Sequence, residues 1–366
     1  MSSVTPFSKF NGSAFVVRAR APLRLGFAGG GTDVSPYCDE FGGAVLNATI
    51  SMYAYATIAP RYDGCVSFQL NESSRSAVFP LTEDIPDDPP FRLLKGVYDR
   101  IVRDFCGGRR FPCALYTHCD APAGSGLGSS STLVVALISA FQELLGLTLG
   151  EYEIARLAYS IEREELGLEG GKQDQYAAAF GGFNFIEFGP GDRVIVNPLR
   201  VKRNFISELE ASLLLYYTGT SRSSAAIINE QKKNLSGESR SAIESANALK
   251  LDAAEIKEAV LTSDASRFGK VLNRAWISKK QMAKTITNPV IDEIYEFAMC
   301  NGAYAGKVSG AGGGGFMMFV CDPSKRPALV AALREREGTL FNAHFVESGC
   351  ESWTSNVQAV VEPARD

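Results

Sequence analysis

Apolar and polar positions follow two rhythms along this chain, and the balance between them changes near the middle. In the first half, residues 14–20, 44–50 and 52–58 are rich in β-forming side chains, and Tyr53, Tyr55 and Thr57 recur at period two. These stretches read as strands. Residues 83–90 carry Pro86, Pro89 and Pro90 and read as a loop. Phe91, Leu94, Val97, Tyr98, Ile101 and Phe105 then fall on one helical stripe. Residues 114–117 read as a short strand, 133–145 as a helix, and 152–166 as a second helix with Ile154, Leu157, Ala158 and Ile161 on one face.

The second half is mostly helical. A buried strand at 211–217 precedes helical stretches at about 222–235, 239–260, 264–284 and 289–301. A strand at 316–320, a helix at 327–337 and a closing strand at 341–346 complete the pattern. Helices and strands do not alternate one for one, which predicts an α+β chain. The Gly-Pro-Gly stretch at 189–191 places a boundary near 190–210, giving domains of 1–200 and 201–366.

Composition narrows the function. The chain has 366 residues, 45% of them hydrophobic, enough for a large core. Its net charge is 37 − 41 = −4, which gives no overall attraction to nucleic acid or an anionic membrane. Eight cysteines without a Cys-x-x-Cys pair, and only two histidines, argue against a zinc site. The cysteines read as apolar fillers in a reducing compartment. The first ten residues lack a secretory pattern and no run is apolar enough to span a bilayer, so the expected setting is the cytoplasm.

Three glycine-rich stretches carry the chemistry. The first to consider is Pro122-Ala123-Gly124-Ser125-Gly126-Leu127-Gly128-Ser129-Ser130-Ser131, which runs into the apolar helix from Leu133. Glycines let backbone N–H groups approach an anion, and a helix N-terminus adds a positive partial charge. Serine hydroxyls at the first turn can cap the helix or hold a phosphate-bound Mg2+. No lysine follows the glycines, so the loop is not a Walker A loop, and its spacing is not that of a dinucleotide fingerprint. It is either a phosphate cradle or a serine-capped turn.

The second stretch, Ser309-Gly310-Ala311-Gly312-Gly313, leads into a strand, so it is either a second ligand loop or a tight chain crossing. The third, Gly29-Gly30-Gly31-Thr32-Asp33, follows Arg24. It can hold a polyol or form a turn with a charge pair. Asp174 stands apart from the charged run before it. It follows Gly170-Gly171-Lys172 and precedes Ala177-Ala178-Ala179, where packing leaves little room for an idle carboxylate. A carboxylate at a buried helix start suits a general base or a metal ligand.

Three glycine motifs in this order, with Asp174 between the last two, resemble the GHMP kinase superfamily over positions 20 to 316. The resemblance implies a two-domain fold: an N-terminal domain like ribosomal protein S5 domain 2 and a ferredoxin-like C-terminal domain. It implies ATP on the loop from Gly124 to Ser130, with Ser309 to Gly313 closing the site. It further implies Mg2+ shared by Ser130 and Glu162, Asp174 as the base, and Arg24 stabilising that Asp or the transferring group. Galactokinases carry Glu and His where this chain has Gly30 and Gly31, while Thr32 and Asp33 persist. The implied acceptor is therefore a sugar longer than galactose. The segments most resemble the branch acting on the anomeric hydroxyl of a heptose 7-phosphate, a small-molecule sugar phosphate. Lys172 and Arg222 are the candidate cations for its distal phosphate, each otherwise a surface charge. A free-sugar kinase of the fucokinase kind and a catalytically silent sensor are the alternatives. The implied assembly is a monomer or homodimer.

Overall fold

The computed structural model describes residues 15–219, 224–342 and 344–356. The first half contains β1 (Phe15–Ala28), α1 (Tyr37–Phe41), β2 (Gly43–Pro60), β3 (Cys65–Leu70) and β4 (Arg75–Pro80). Next come α2 (Arg92–Phe105), β5 (Cys113–Cys119), α3 (Ser129–Leu145), α4 (Glu151–Tyr159), α5 (Gln173–Phe180), β6 (Phe183–Phe188) and β7 (Val194–Pro198). The second half contains α6 (Arg203–Ser212), β8 (Leu213–Tyr217), α7 (Ser224–Lys233), α8 (Arg240–Thr262), α9 (Ala265–Met282) and α10 (Pro289–Cys300). It closes with β9 (Ala303–Val308), β10 (Phe316–Cys321), α11 (Arg326–Arg334), β11 (Thr339–Asn342) and β12 (Glu351–Asn356).

Two sheets organise these elements. The first runs β12-β1-β2-β5-β3-β4, with β6 paired to the opening half of β2 and β7 paired to β6. The second runs β11-β8-β10-β9 with antiparallel neighbours. In order of appearance that is 4-1-3-2, the ferredoxin-like arrangement.

The strands expected at 44–50 and 52–58 are one strand, β2, and the strand expected at 14–20 extends through Ala28. The reason is burial. β1 alternates at first and then turns buried on both faces, because helices cover one side and the second half of the chain covers the other. Period-two reading therefore loses the strand where burial is complete. Pro22 lies in this stretch, and the register against β2 shifts between Pro22 and Arg24. Such a bulge twists the strand and re-aims the side chain beside it.

Three other expectations change. Helix 152–166 stops being α-helical at Tyr159 and continues as one π turn over Ser160–Glu165. Residues 203–212 form a helix ahead of the strand at 213. The closing strand expected at 341–346 is instead β11 followed by a single bridge between Phe345 and Ile50. The last strand is β12, which returns to the first sheet and covers the edge of β1. The first sheet thus takes a strand from well beyond residue 200, and its pairing satisfies the backbone groups of the β1 edge.

The halves share one core. Phe27 of β1 meets Phe183 of β6 at 6.3 Å and Phe268 of α9 at 5.2 Å between ring centres. Leu23 and Leu25 join the same cluster as Trp276 of α9 and Phe319 of β10. The cleft lies where this shared core ends.

Candidate active site

The loop before α3 is built by alternation. Gly124, Gly126 and Gly128 all take positive φ, while Ser125 and Leu127 between them are fully buried. Leu127 O accepts the Arg24 N–H at 3.1 Å, and Ser125 O accepts the Phe316 N–H at 2.9 Å. The loop is therefore pinned to both halves of the molecule. Gly126 and Gly310 pack backbone to backbone; a Cβ on Gly310 would lie 2.7 Å from the Gly126 Cα. The two glycine clusters are glycine-rich partly for each other.

Helix α3 begins at Ser129, and no side chain caps it. Ser129, Ser130 and Ser131 line an open cleft. An uncapped N-terminus facing a cleft is an anion site with unsatisfied N–H groups and a positive dipole end.

Arg24 sits at the floor, 3% exposed. Its Nε donates to Asp174 Oδ1 at 2.7 Å and its Nη2 lies 2.6 Å from the same oxygen. Its Nη1 donates to Gly126 O at 2.6 Å and to Ser309 Oγ at 3.4 Å. Asp174 stands in the first turn of α5, with a Gly128 Cβ position 3.1 Å from its carboxyl carbon. A carboxylate held by arginine beneath an anion cradle can take a proton from a hydroxyl next to a bound phosphate.

Asp33 secures this geometry. Its carboxylate accepts the N–H groups of Gly31 at 3.0 Å and of Gln173 at 3.1 Å, the second being the start of α5. Thr32 is fully buried, with its hydroxyl 2.8 Å from Gly29 O and accepting the Ala44 N–H at 3.1 Å. It holds the turn and is not among the cleft-lining residues.

Glu162 lies on the π turn and is fully buried. Gln175 Nε2 donates to its Oε2 at 2.6 Å, and Arg163 approaches its Oε1 to 3.7 Å. Burial raises its pKa against the pull of Arg163. Oε1 has no hydrogen-bond partner. A buried carboxylate oxygen left open beside a hydroxyl-lined anion site fits Mg2+, which takes one or two carboxylates and otherwise phosphate and water. π turns are frequent at functional sites because the extra residue re-aims a side chain.

Two family models match the chain: GHMP kinases N terminal domain over residues 92–182, and GHMP kinases C terminal over residues 256–338. D-glycero-alpha-D-manno-heptose 7-phosphate kinase of Campylobacter jejuni is 48% identical over 337 residues, covering 92% of this chain and 98% of that protein. The chain belongs to the GHMP kinases. It is accordingly an ATP-dependent phosphotransferase. A bifunctional fucokinase/GDP-fucose pyrophosphorylase of Arabidopsis thaliana is 28% identical over 336 residues, 87% of this chain and 31% of that protein. The crystal structure of a D-glycero-D-manno-heptose 1-phosphate kinase from Bacteriodes thetaiotaomicron superposes with a TM-score of 0.78 at 43% identity, covering 92% of this chain and 98% of that one.

This GHMP kinase brings Arg24, Gly31, Asp33, Gly124, Gly126, Gly128, Ser129, Ser130, Ser131, Glu162, Asp174 and Gly310 around one cleft. Gly30 backs it through its carbonyl, which accepts from Lys279. Pro122 lies at the loop's exposed start, and Ser309 is buried behind Arg24. Gly312 and Gly313 pack on Ile286, whose carbonyl accepts the Gly313 N–H at 2.8 Å. That segment is largely the chain crossing, so Ser309, Gly312 and Gly313 stay outside the cleft lining. Lys172 points away: its ammonium donates to Gly191 O at 2.7 Å and sits 3.6 Å from Asp39. It is not among the residues that line the cleft. Arg222 lies outside the described residues. Residues not anticipated are Arg163, Gln173, Gln231 and Lys279, which line the cleft. Arg163 and Lys279 stand in charged runs that look like solvated helix faces.

Among the described residues, no helix is long and apolar enough to cross a membrane.

Proposed function

We propose that this kinase transfers the γ-phosphoryl group of ATP to the anomeric hydroxyl of D-glycero-D-manno-heptose 7-phosphate, giving the 1,7-bisphosphate. The observation that carries the reading is the Arg24–Asp174 pair beneath the uncapped start of α3. The near full-length similarity to a heptose 7-phosphate kinase supports the choice of acceptor.

In this reading the α3 N-terminus and the loop Gly124–Ser131 hold the triphosphate. Asp174 takes the proton from the attacking hydroxyl. Arg24 holds Asp174 in position through two contacts to one carboxylate oxygen, and Asp33 fixes the helix start that carries it. Ser130 and Glu162 would hold Mg2+, which supplies charge neutralisation on the phosphates. Most of the rate in phosphoryl transfer comes from such positioning and neutralisation, so the chain needs no covalent intermediate.

The test is ADP release with Mg-ATP on heptose 7-phosphate, free heptose, L-fucose, D-mannose and D-galactose. The reading expects the phosphorylated heptose to give the highest kcat/KM. If a free sugar such as L-fucose wins, the fucokinase-like reading replaces it.

A further inference from the structure

Lys172 is hydrogen-bonded to Gly191 O and is not among the cleft-lining residues, which directs attention to the cations that do line the cleft. Among the described residues, three cations line the cleft. Arg24 is paired with Asp174, and Arg163 faces Glu162. Lys279, from α9, has no carboxylate within salt-bridge distance among the described residues. It is only 5% exposed.

The Lys279 ammonium donates to Gly30 O at 2.8 Å and to Gln231 Oε1 at 3.3 Å. An ammonium has three donors, so one remains for a ligand. Gly31 leaves it room: a Cβ there would come within 3.0 Å of Lys279 Nζ. Gly31 also takes a φ of 99°, which side chains rarely adopt. Gln173, 9% exposed, stands beside the same turn: its Nε2 lies 3.8 Å from a Cβ position on Gly30, and its Oε1, which has no hydrogen-bond partner, lies 3.8 Å from one on Gly26. A buried cation without a salt-bridge partner lies against Gly31, and the amide beside Gly30 carries a buried acceptor without a donor. Both are costly unless a ligand completes them.

We propose that Lys279 is the specificity-determining residue of the acceptor subsite, binding the terminal phosphate of the sugar while Gln173 accepts a hydrogen bond from a sugar hydroxyl. This rests on the heptose 7-phosphate reading above. It gives Gly31 a reason, since a side chain there would crowd Lys279 Nζ, while Gly30 supplies the carbonyl that Lys279 donates to. Burial lowers the Lys279 pKa to about 8, with Asp33 opposing and Arg24 assisting. Lys307 of β9 is the other cation coupled to it. A bound phosphate restores the charge.

The experiment compares wild type with Lys279→Met on heptose 7-phosphate and free heptose at saturating ATP. Loss of one charge-assisted contact is expected to raise KM for the 7-phosphate ~10- to 100-fold and to change KM for free heptose less than ~threefold. Equal changes on both sugars, or none on either, overturn the assignment. A second measurement needs no variant. The wild-type KM for the 7-phosphate should climb about tenfold per pH unit above pH 8, while that for free heptose stays level. Parallel profiles overturn it as well. A wild type that ignores heptose 7-phosphate and turns over another sugar overturns the parent reading too. Selective use of heptose 7-phosphate with an unaltered Lys279→Met preference overturns the Lys279 assignment alone.

Discussion

Asp174 and Arg24 are 150 positions apart in sequence and share two contacts at one carboxylate oxygen. If Asp174 is the base, Asp174→Asn keeps the shape and removes the proton acceptor. The expected result is a kcat loss of ~10²- to 10⁴-fold with nucleotide affinity retained. ADP release and an ATP-analogue titration check the two halves of that statement. Lys307 makes a different point about a buried charge. Its ammonium donates to Gly26 O at 2.7 Å, and burial lowers its pKa from 10.5 to about 7. Between those values the unfolded chain holds a proton that the folded chain has released. Stability therefore rises with pH through that window, by up to ~1.4 kcal/mol per unit. Urea unfolding from pH 7 to 10 should show this rise in wild type and a shallower one in Lys307→Met.

The glycine loop works as an element because its backbone touches the opposite half of the chain. A Cβ on Gly126 would collide with the Ser309 backbone, and the residue has a φ of 83°. Gly126→Ala is expected to cost ~1–3 kcal/mol by overpacking and by strain at positive φ. It should also raise KM for ATP, since the same loop frames the α3 start. Denaturant titration beside ATP kinetics measures both. Helix α4 shows the limit of pattern reading at this scale. Ile154, Leu157 and Ala158 form its buried face and Ile161 is buried on the π turn that follows, and nothing in their spacing marks that turn. On that turn Glu162 meets Gln175 and Arg163 meets Ser131, partners that helical spacing does not reveal.

For the molecule as a whole, the shared core means that the halves do not fold separately. Phe268 is fully buried in α9 against Phe27 of β1. Phe268→Ala should cost ~3–5 kcal/mol, the range for a buried aromatic. Unfolding followed by tryptophan fluorescence and by far-ultraviolet circular dichroism should still coincide in one transition. Two separated transitions would show that the halves are independent units.

By itself, the sequence determined the α+β class, most of the long helices and the kinase family. Local signals carry these: helical stripes such as Phe91 to Phe105, and glycines at 124, 126 and 128 whose positive φ few other residues tolerate. The strands β3, β4, β6, β7, β9 and β12 were not legible, because several are short or buried on both faces and alternate weakly. Only the tertiary structure decided which cations face the cleft. Lys172 and Lys279 are alike as sequence, but one is tied to Gly191 and the other to Gly30, 249 residues away. Periodicity reports which face of an element is buried. It cannot report what a long side chain meets there, because that partner comes from a distant part of the chain.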